Sequence, residues 1–194
     1  MQTLASIATY VLTVVGTLYI SLVLIRFLCQ LVRADYYNPM SKALVKLTNP
    51  LLVPLRKVVP GFAGIDWAAI VLAIVLQSIL LALLILLKGY SLGNPIYLLP
   101  WSLVEIFSLL VSFYKWGALL LIVASFIAPQ SYNPALTLLG QIINPALAPF
   151  RKILPPMGGM DFSPIIFFMV LNIITAYLLP AIAGFVGMPP WLLL

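Results

Sequence analysis

Residues Tyr37–Ile70 read YNPMSKALVKLTNPLLVPLRKVVPGFAGIDWAAI, and residues Tyr132–Ile165 read YNPALTLLGQIINPALAPFRKILPPMGGMDFSPI. The second stretch begins 95 residues after the first and aligns with it without an insertion or a deletion. Fourteen of the 34 positions are identical, and most of these are Asn, Pro, Gly, Arg and Asp. An apolar composition does not produce such agreement, so we interpret the chain as a tandem duplication whose functional residues come in pairs.

The composition is that of a membrane protein. Hydrophobic residues make up 64% of the chain and charged residues 7%, whereas a water-facing surface normally carries about 25–35% charged residues. Four apolar stretches reach the roughly 20 residues that cross a bilayer: Leu4–Leu31, Trp67–Leu87, Ser102–Ala128 and Phe162–Val186. No Lys or Arg precedes the first stretch, and it exceeds the core of about 7–15 residues of a signal peptide. We therefore predict a retained helix there.

The basic residues are divided unevenly among the connecting loops. Only Lys88 lies between the second and third apolar stretches. Seven lie in the other two loops: Arg33, Lys42, Lys46, Arg56, Lys57, Arg151 and Lys152. Because basic residues favour cytoplasmic loops, we expect both motif copies to face the cytoplasm. Both termini then face the periplasm or the exterior.

The repeat organisation predicts an all-α membrane protein with four transmembrane helices. We assign residues 1–95 to the first repeat and residues 96–194 to the second, with two spans in each. Since two is an even number, both repeats enter and leave on the same side, which predicts a parallel 2+2 arrangement and disfavours an inverted repeat. The formal charge of +6 lies beside the membrane, so it indicates anionic lipid headgroups as partners and not nucleic acid.

The motif contains Asn-Pro pairs, which are typical of helix starts. The Asn side chain caps free backbone N–H groups, and Pro is well suited to the first helical position. The pairs are Asn38-Pro39 and Asn49-Pro50 in the first copy, and Asn133-Pro134 and Asn144-Pro145 in the second. We predict a short amphipathic helix in the membrane interface from Pro39 to Thr48. A break or a second helix start follows at Pro50, and the second copy repeats this pattern.

Each copy also contains an Arg-Lys pair and a later Asp. These residues are Arg56, Lys57 and Asp66 in the first copy, and Arg151, Lys152 and Asp161 in the second. One interpretation is anchoring by the basic residues and capping of the next helix by the Asp. The other is a pair of Arg–Asp ion pairs that form a symmetric platform for a partner protein or a lipid phosphate.

These motifs resemble the YggT family of small bacterial membrane proteins. The resemblance rests on both Asn-Pro pairs, the Pro-x-Arg-Lys string and the Gly-x-Asp ending in each copy, and it covers essentially the whole chain. It implies an integral protein of the bacterial inner membrane without established catalytic activity, with roles proposed in ion or osmotic homeostasis, membrane-complex assembly and division. Related single-copy proteins of the YlmG type occur in other bacteria and chloroplasts. The first copy departs from the Asp-x-Ser-Pro ending of the second, since Asp66 is followed by Trp67-Ala68-Ala69.

A set of polar residues is predicted near the middle of the membrane. Its members are Tyr19, Gln77, Tyr114, Lys115 and Asn172. Gln77 and Asn172 each follow the Asp of their motif by 11 residues, which places them about 16 Å along the helix. Hydrogen bonding between helices is one interpretation of the amides. Lys115 has no equivalent cation in the first repeat, and its cost of about 2.5–3.5 kcal/mol makes it a candidate for a functional or partner contact.

The sequence lacks the parts of a catalytic site. It has no His and only four acidic residues, and no metal-ligand cluster, phosphate loop or nucleophile with a base is recognisable. We therefore expect neither enzymatic activity nor a cofactor or metal. The preferred hypothesis is an assembly or scaffold factor that associates laterally with other membrane proteins or with itself. The alternative is a small channel or transporter that uses the midplane set.

Overall fold

The computed structural model describes residues 2–62, 64–127, 132–154 and 161–193. Within these ranges the chain is helical, without a β-strand, as predicted. The helices are α1 (Gln2–Leu31), α2 (Pro39–Arg56), α3 (Trp67–Leu87), α4 (Leu98–Ile127), α5 (Pro134–Ile153), α6 (Ser163–Ile173) and α7 (Leu179–Phe185). Pro155 and Gly159 of the second motif, and the predicted end of the third apolar stretch at Ala128, lie outside the described residues.

Four helical segments of the described chain are long and apolar enough to cross a membrane. They are Ser6–Leu31, Trp67–Leu87, Pro95–Ser125 and Ser163–Phe185. They coincide with the four apolar stretches predicted from the sequence, and they indicate a multi-pass membrane protein.

The fourth segment contains an irregular turn. A π-helical turn at Ile174–Leu178 joins α6 to α7. Pro180 follows this turn and has no N–H to donate to the carbonyl of Ala176, so an unbroken α-helical ladder is not possible here. The helical path nevertheless continues to Phe185, so the segment is still one span.

Helices α1 and α3 run antiparallel and pack closely. At one end, Gln30 of α1 meets Arg56, whose ionic partner Asp66 precedes α3. Further back along α1, Gly16 lies against Leu80 so closely that a β-carbon at Gly16 would lie 2.9 Å from Cδ1 of Leu80. The small residue therefore allows the close approach of these two helices.

Helix α4 runs antiparallel to α3 and to the α6–α7 segment. Three contacts fix this arrangement: Ser78 with Ser102, Trp101 with the Val186 carbonyl, and Tyr114 with Phe167. The C-terminal ends of α1 and α4 and the N-terminal ends of α3 and α6 consequently lie at the same end of the bundle. We call this the motif end, because both copies of the motif lie there.

The opposite end carries the loop between α3 and α4 and the C-terminal segment. The ring of Tyr90 stacks on that of Trp191, with centroids 5.3 Å apart. The ammonium group of Lys88 lies 4.0 Å from the centroid of the Trp191 ring. The single basic residue of that loop is thus held by an aromatic residue of the segment that follows α7.

One prediction about the motif is wrong. Asn49-Pro50 does not start a second helix but lies inside α2, and Asn144-Pro145 likewise lies inside α5. The first interfacial helix was expected to stop at Thr48, yet α2 runs to Arg56. A proline removes only one helical hydrogen bond. That loss is offset in α2 by a buried row of residues packed on the bundle: Ser41, Leu44, Thr48 and Leu52.

Candidate functional site: two paired helices at the motif end

Both motif helices start as the sequence predicts. The Asn38 side chain accepts a hydrogen bond of 2.8 Å from the backbone N–H of Met40. The Asn133 side chain accepts one of 2.9 Å from the backbone N–H of Ala135. Pro39 and Pro134 occupy the first helical positions. The Asn-Pro pairs therefore fix where α2 and α5 begin.

The two motif helices are joined to each other directly. The amide nitrogen of Asn38 donates a hydrogen bond of 2.8 Å to the carbonyl of Pro134 at the start of α5. The backbone N–H of Asp35 donates one of 2.9 Å to the side chain of Gln141. The two copies thus form one connected surface at the motif end, which we call the paired-helix surface.

In the first copy, Arg56 and Asp66 form an ion pair. Asp66 occupies the N-cap position of α3, but its side chain makes no capping hydrogen bond. Asp66 therefore takes the N-cap position that one interpretation gave it, while its carboxylate is engaged by the guanidinium of Arg56, as the other interpretation expected. The Asp66 side chain is only 3% exposed. This contact connects the end of α2 to the start of a transmembrane helix.

In the second copy, Arg151 and Asp161 form the equivalent ion pair. The Nε atom of Arg151 lies 2.8 Å from Oδ2 of Asp161, and its Nη2 donates to Oδ1 of Asn144 at 3.1 Å. The other carboxylate oxygen of Asp161 accepts a hydrogen bond from the backbone N–H of Ser163. Asp161 thus binds the N–H of the first residue of α6, although Phe162 occupies the N-cap position of that helix. The pair is also more open, with side-chain exposures of 39% and 31%.

The environment of Asp161 changes its acidity. Burial raises the pKa of the Asp161 carboxyl group, but hydrogen bonds from Ser163 and Arg151, with the positive charge of Arg151, outweigh that effect. The pKa of Asp161 is therefore held below its usual value. The ion pair remains formed at neutral pH.

The structure also reveals a basic residue that the sequence analysis overlooked. Arg26 lies within the first spanning segment and is 8% exposed. Its Nη1 atom donates to Oγ1 of Thr48 at 2.5 Å, Oδ1 of Asn49 at 2.8 Å and the carbonyl of Val45 at 3.3 Å. These contacts hold the middle of α2 against α1 at the Asn49-Pro50 step. Arg26 could have been predicted to be important because it is a charged residue inside an apolar stretch. The same reasoning was applied to Lys115.

The lysines of the motif lie on the outside. Lys57 follows the last residue of α2, and Lys152 lies in the last turn of α5. Both side chains are exposed. The Arg of each Arg-Lys pair therefore makes the internal ion pair, while the Lys is presented outward.

The midplane set is dispersed over the structure. The Tyr19 hydroxyl donates to the carbonyl of Leu47 in α2, whereas the Tyr114 ring contacts the rings of Phe113 and Phe167. The ammonium group of Lys115 lies 5.7 Å from the ring centroid of Phe168 and 6.0 Å from that of Trp116. Tyr114 and Lys115 thus contact aromatic rings, and Tyr19 forms a hydrogen bond with the backbone of α2.

The two midplane amides also have different environments. Asn172 donates to the carbonyl of Phe168 in its own helix at 2.9 Å. Gln77 is fully buried, and neither of its amide atoms has a hydrogen-bond partner among the described residues. The equivalent positions of the two repeats therefore do not form a matched pair of interhelical hydrogen bonds.

No member of the midplane set lines the larger cavities in the described part of the chain. An apolar cavity of about 260 Å³ lies among α1, α2, α4 and α5. A cavity of about 460 Å³ lies between the end of α1 and α2, and its lining includes Arg26, Asn49 and Arg56. No group of three or more potential metal ligands occurs among the described residues.

Comparison with known proteins identifies the family. The model of the CCB3/YggT family matches residues 5–87 and again residues 100–182, and both limits of the second match lie 95 residues beyond those of the first. An uncharacterized protein of Pseudomonas aeruginosa is 45% identical over 183 residues, which cover 94% of this chain and 93% of that protein.

Two further relatives are more distant. The uncharacterized protein YggT of Escherichia coli is 34% identical, with 86% of each chain covered. An uncharacterized protein of Vibrio alginolyticus is 31% identical, with 84% of this chain and 89% of that protein covered. No solved structure matches the chain. With the two ion-paired motifs and the two matches of the family model, the chain belongs to the CCB3/YggT family.

Proposed function

We propose that this protein acts by lateral association in the membrane, as an assembly or scaffold factor for other membrane proteins. The observation that carries the proposal is the direct pairing of α2 with α5 at the motif end. An ion pair connects each of these helices to a transmembrane helix. A surface fixed in this way is suited to docking a partner without a large entropic cost.

The composition of the paired-helix surface supports docking by a protein. The inner row of α2 packs on the bundle, but another face of the helix, which we call its outer face, exposes three apolar side chains: Met40, Leu47 and Leu51. The lysines Lys42, Lys46, Lys57 and Lys152 are exposed on the same two helices or at their ends. A surface that combines exposed apolar groups with positive charge fits a membrane protein that presents apolar and acidic side chains. Anionic lipid headgroups are the expected surroundings of these lysines.

The proposal includes an orientation in a bacterial inner membrane. Seven basic residues belong to the loops and helices of the motif end, and Lys88 belongs to the opposite end. By the preference of basic loops for the cytoplasm, the paired-helix surface faces the cytoplasm and both termini face outward. The helices α2 and α5 then lie along the interface as amphipathic elements of two parallel repeats.

The alternative of a channel or transporter is not favoured. A permeation site requires polar groups around a shared path. Four members of the midplane set make separate contacts with α2, with aromatic rings or with their own helix, and the fifth, Gln77, is buried without a hydrogen-bond partner among the described residues. Nothing in their arrangement supports a common pathway.

Site-specific crosslinking in the membrane tests the proposal. A photoreactive amino acid is placed at Leu47 or Leu51 on the outer face of α2, and at Ile79 or Leu83 as exposed control positions on α3. We expect a protein adduct of one reproducible mass from the α2 positions and none from the α3 positions. Absence of a protein adduct from α2, or identical adducts from all four positions, would contradict the proposal.

A further inference from the structure

The cavity between α1 and α2 at the motif end has the properties of an anion site. Its volume is about 460 Å³, which is within the range of ligand pockets. Two arginines, Arg26 and Arg56, line it together with Gln30, Ser41 and Asn49. Cys29 lies on the same wall.

The charges around this cavity do not balance. Arg26 and Arg56 contribute two positive charges and Asp66, the partner of Arg56, contributes one negative charge, so the cluster has a net charge of +1. Asp35 in the adjacent loop does not line the cavity, and its carboxylate accepts the N–H of Tyr37. Within the described ranges, Arg26 makes no salt bridge. A buried cation without an ionic partner is costly, and a bound anion would reduce that cost.

Arg26 retains donors for a ligand. A guanidinium group has five N–H donors in a planar fork. All hydrogen bonds of Arg26 found among the described residues originate from Nη1. The Nε and Nη2 donors form the edge that binds phosphate oxygens in a bidentate manner.

The second repeat shows that the helix packing does not require this cation. The positions equivalent to Arg26 and Thr48 are Leu121 and Ile143, 95 residues later. These two residues belong to one apolar cluster between α4 and α5. Apolar side chains can therefore pack a spanning helix against a motif helix at this position. Helix packing alone does not explain why the first repeat has a charged residue there.

We infer that the cavity lined by Arg26, Arg56 and Asn49 binds a phosphate-bearing anion. Arg26 lies five residues before the end of α1 at Leu31, about 7.5 Å along the helix. That position is close to the membrane interface, where phospholipid headgroups lie. Both a phospholipid and a free phosphate carry the required chemistry. The inference is independent of the proposed docking of a partner protein.

The native cysteine provides the test. Cys29 is the single cysteine of the chain, so its reaction with a thiol reagent reports on the cavity. The protein is placed in phosphatidylcholine bilayer discs, and its labelling by a sulfonate-bearing methanethiosulfonate reagent is timed. Phosphatidylglycerol is then added in one series and inorganic phosphate in another. We expect labelling to slow several-fold in at least one series.

The two series distinguish the sources of the anion. Protection by phosphatidylglycerol alone supports a lipid headgroup, and protection by inorganic phosphate supports a free phosphate. The variant Arg26→Leu/Thr48→Ile reproduces the apolar pair of the second repeat and should lose the protection. The variant Arg151→Gln removes a positive charge outside the cavity and should keep it. No protection in the unmodified protein, or equal protection in Arg26→Leu/Thr48→Ile, would overturn the inference.

Discussion

In both repeats a transmembrane helix contacts a motif helix at equivalent positions, but the contact is polar in the first repeat and apolar in the second. In the first repeat Arg26 of α1 donates to Thr48 and Asn49 of α2. In the second repeat Leu121 of α4 and Ile143 of α5 lie in an apolar cluster. The duplicated motif therefore specifies the helix start and the ion pair. The residues that pack the motif helix against the preceding transmembrane helix differ between the two copies.

The carboxylates of the two ion pairs differ in burial, and we expect removal of the buried carboxylate to change stability more than any other substitution considered below. Asp66 is 3% exposed, whereas Asp161 is 31% exposed. Asp66→Asn leaves Arg26 and Arg56 without a nearby negative charge, and we expect it to cost about 3 kcal/mol. Asp161→Asn should cost less than about 1 kcal/mol, because water screens the open pair. Reversible unfolding in mixed micelles measures both values, and equal losses would remove the distinction between the copies.

Loss of the hydrogen bonds between Arg26 and α2 should give the next largest decrease in stability. Arg26→Leu leaves the buried hydroxyl oxygen of Thr48 without its donor, which should cost about 1–3 kcal/mol. Adding Thr48→Ile replaces both partners by the apolar pair of the second repeat, so most of that loss should be regained. The same unfolding assay compares the single and double variants. A double variant less stable than Arg26→Leu would show that the two copies cannot exchange this contact.

The acidity of Asp161 predicts a smaller effect that depends on pH. The pKa of Asp161 is lowered in the folded protein from an ordinary value of about 3.9. The resulting stabilisation is fully present above the ordinary pKa and is lost as the pH falls through the lower folded value. The stability difference between the unmodified protein and Asp161→Asn should therefore shrink as the pH falls from 7 into this acidic range. A difference that stays constant would contradict the assigned role of the carboxylate.

Several features of the structure were predictable because they are local in the sequence. The starts of α2 and α5 follow from the Asn-Pro pairs, and the four spans follow from the length of the apolar stretches. The Arg–Asp pairs were one of two interpretations, and both pairs are present in the structure. These positions could be identified because the same residues recur 95 positions later.

Other features depend on tertiary contacts and were not predictable in the same way. The chain continues as a helix through Asn49-Pro50 because the polar contacts of Arg26 and the buried row of α2 hold it against the bundle. Residue spacing gives the depth of Gln77 and Asn172 but not the rotation of their helices, which buries one amide and leaves the other half-buried. Arg26 was not predicted because a comparison of the repeats selects identical residues, and the equivalent of Arg26 in the second repeat is Leu121.

Recovery of partner proteins from the membrane tests most directly whether the paired-helix surface is a docking site. The variant Lys57→Glu/Lys152→Glu reverses two exposed charges at the ends of α2 and α5 and leaves both Arg–Asp pairs in place. Lys88→Glu reverses an exposed charge at the opposite end and serves as the control. After crosslinking in the membrane, we expect the double variant to lose the co-purified proteins, while Lys88→Glu and the unmodified chain retain them. Unchanged recovery from a stably inserted Lys57→Glu/Lys152→Glu protein would contradict a docking role for this surface.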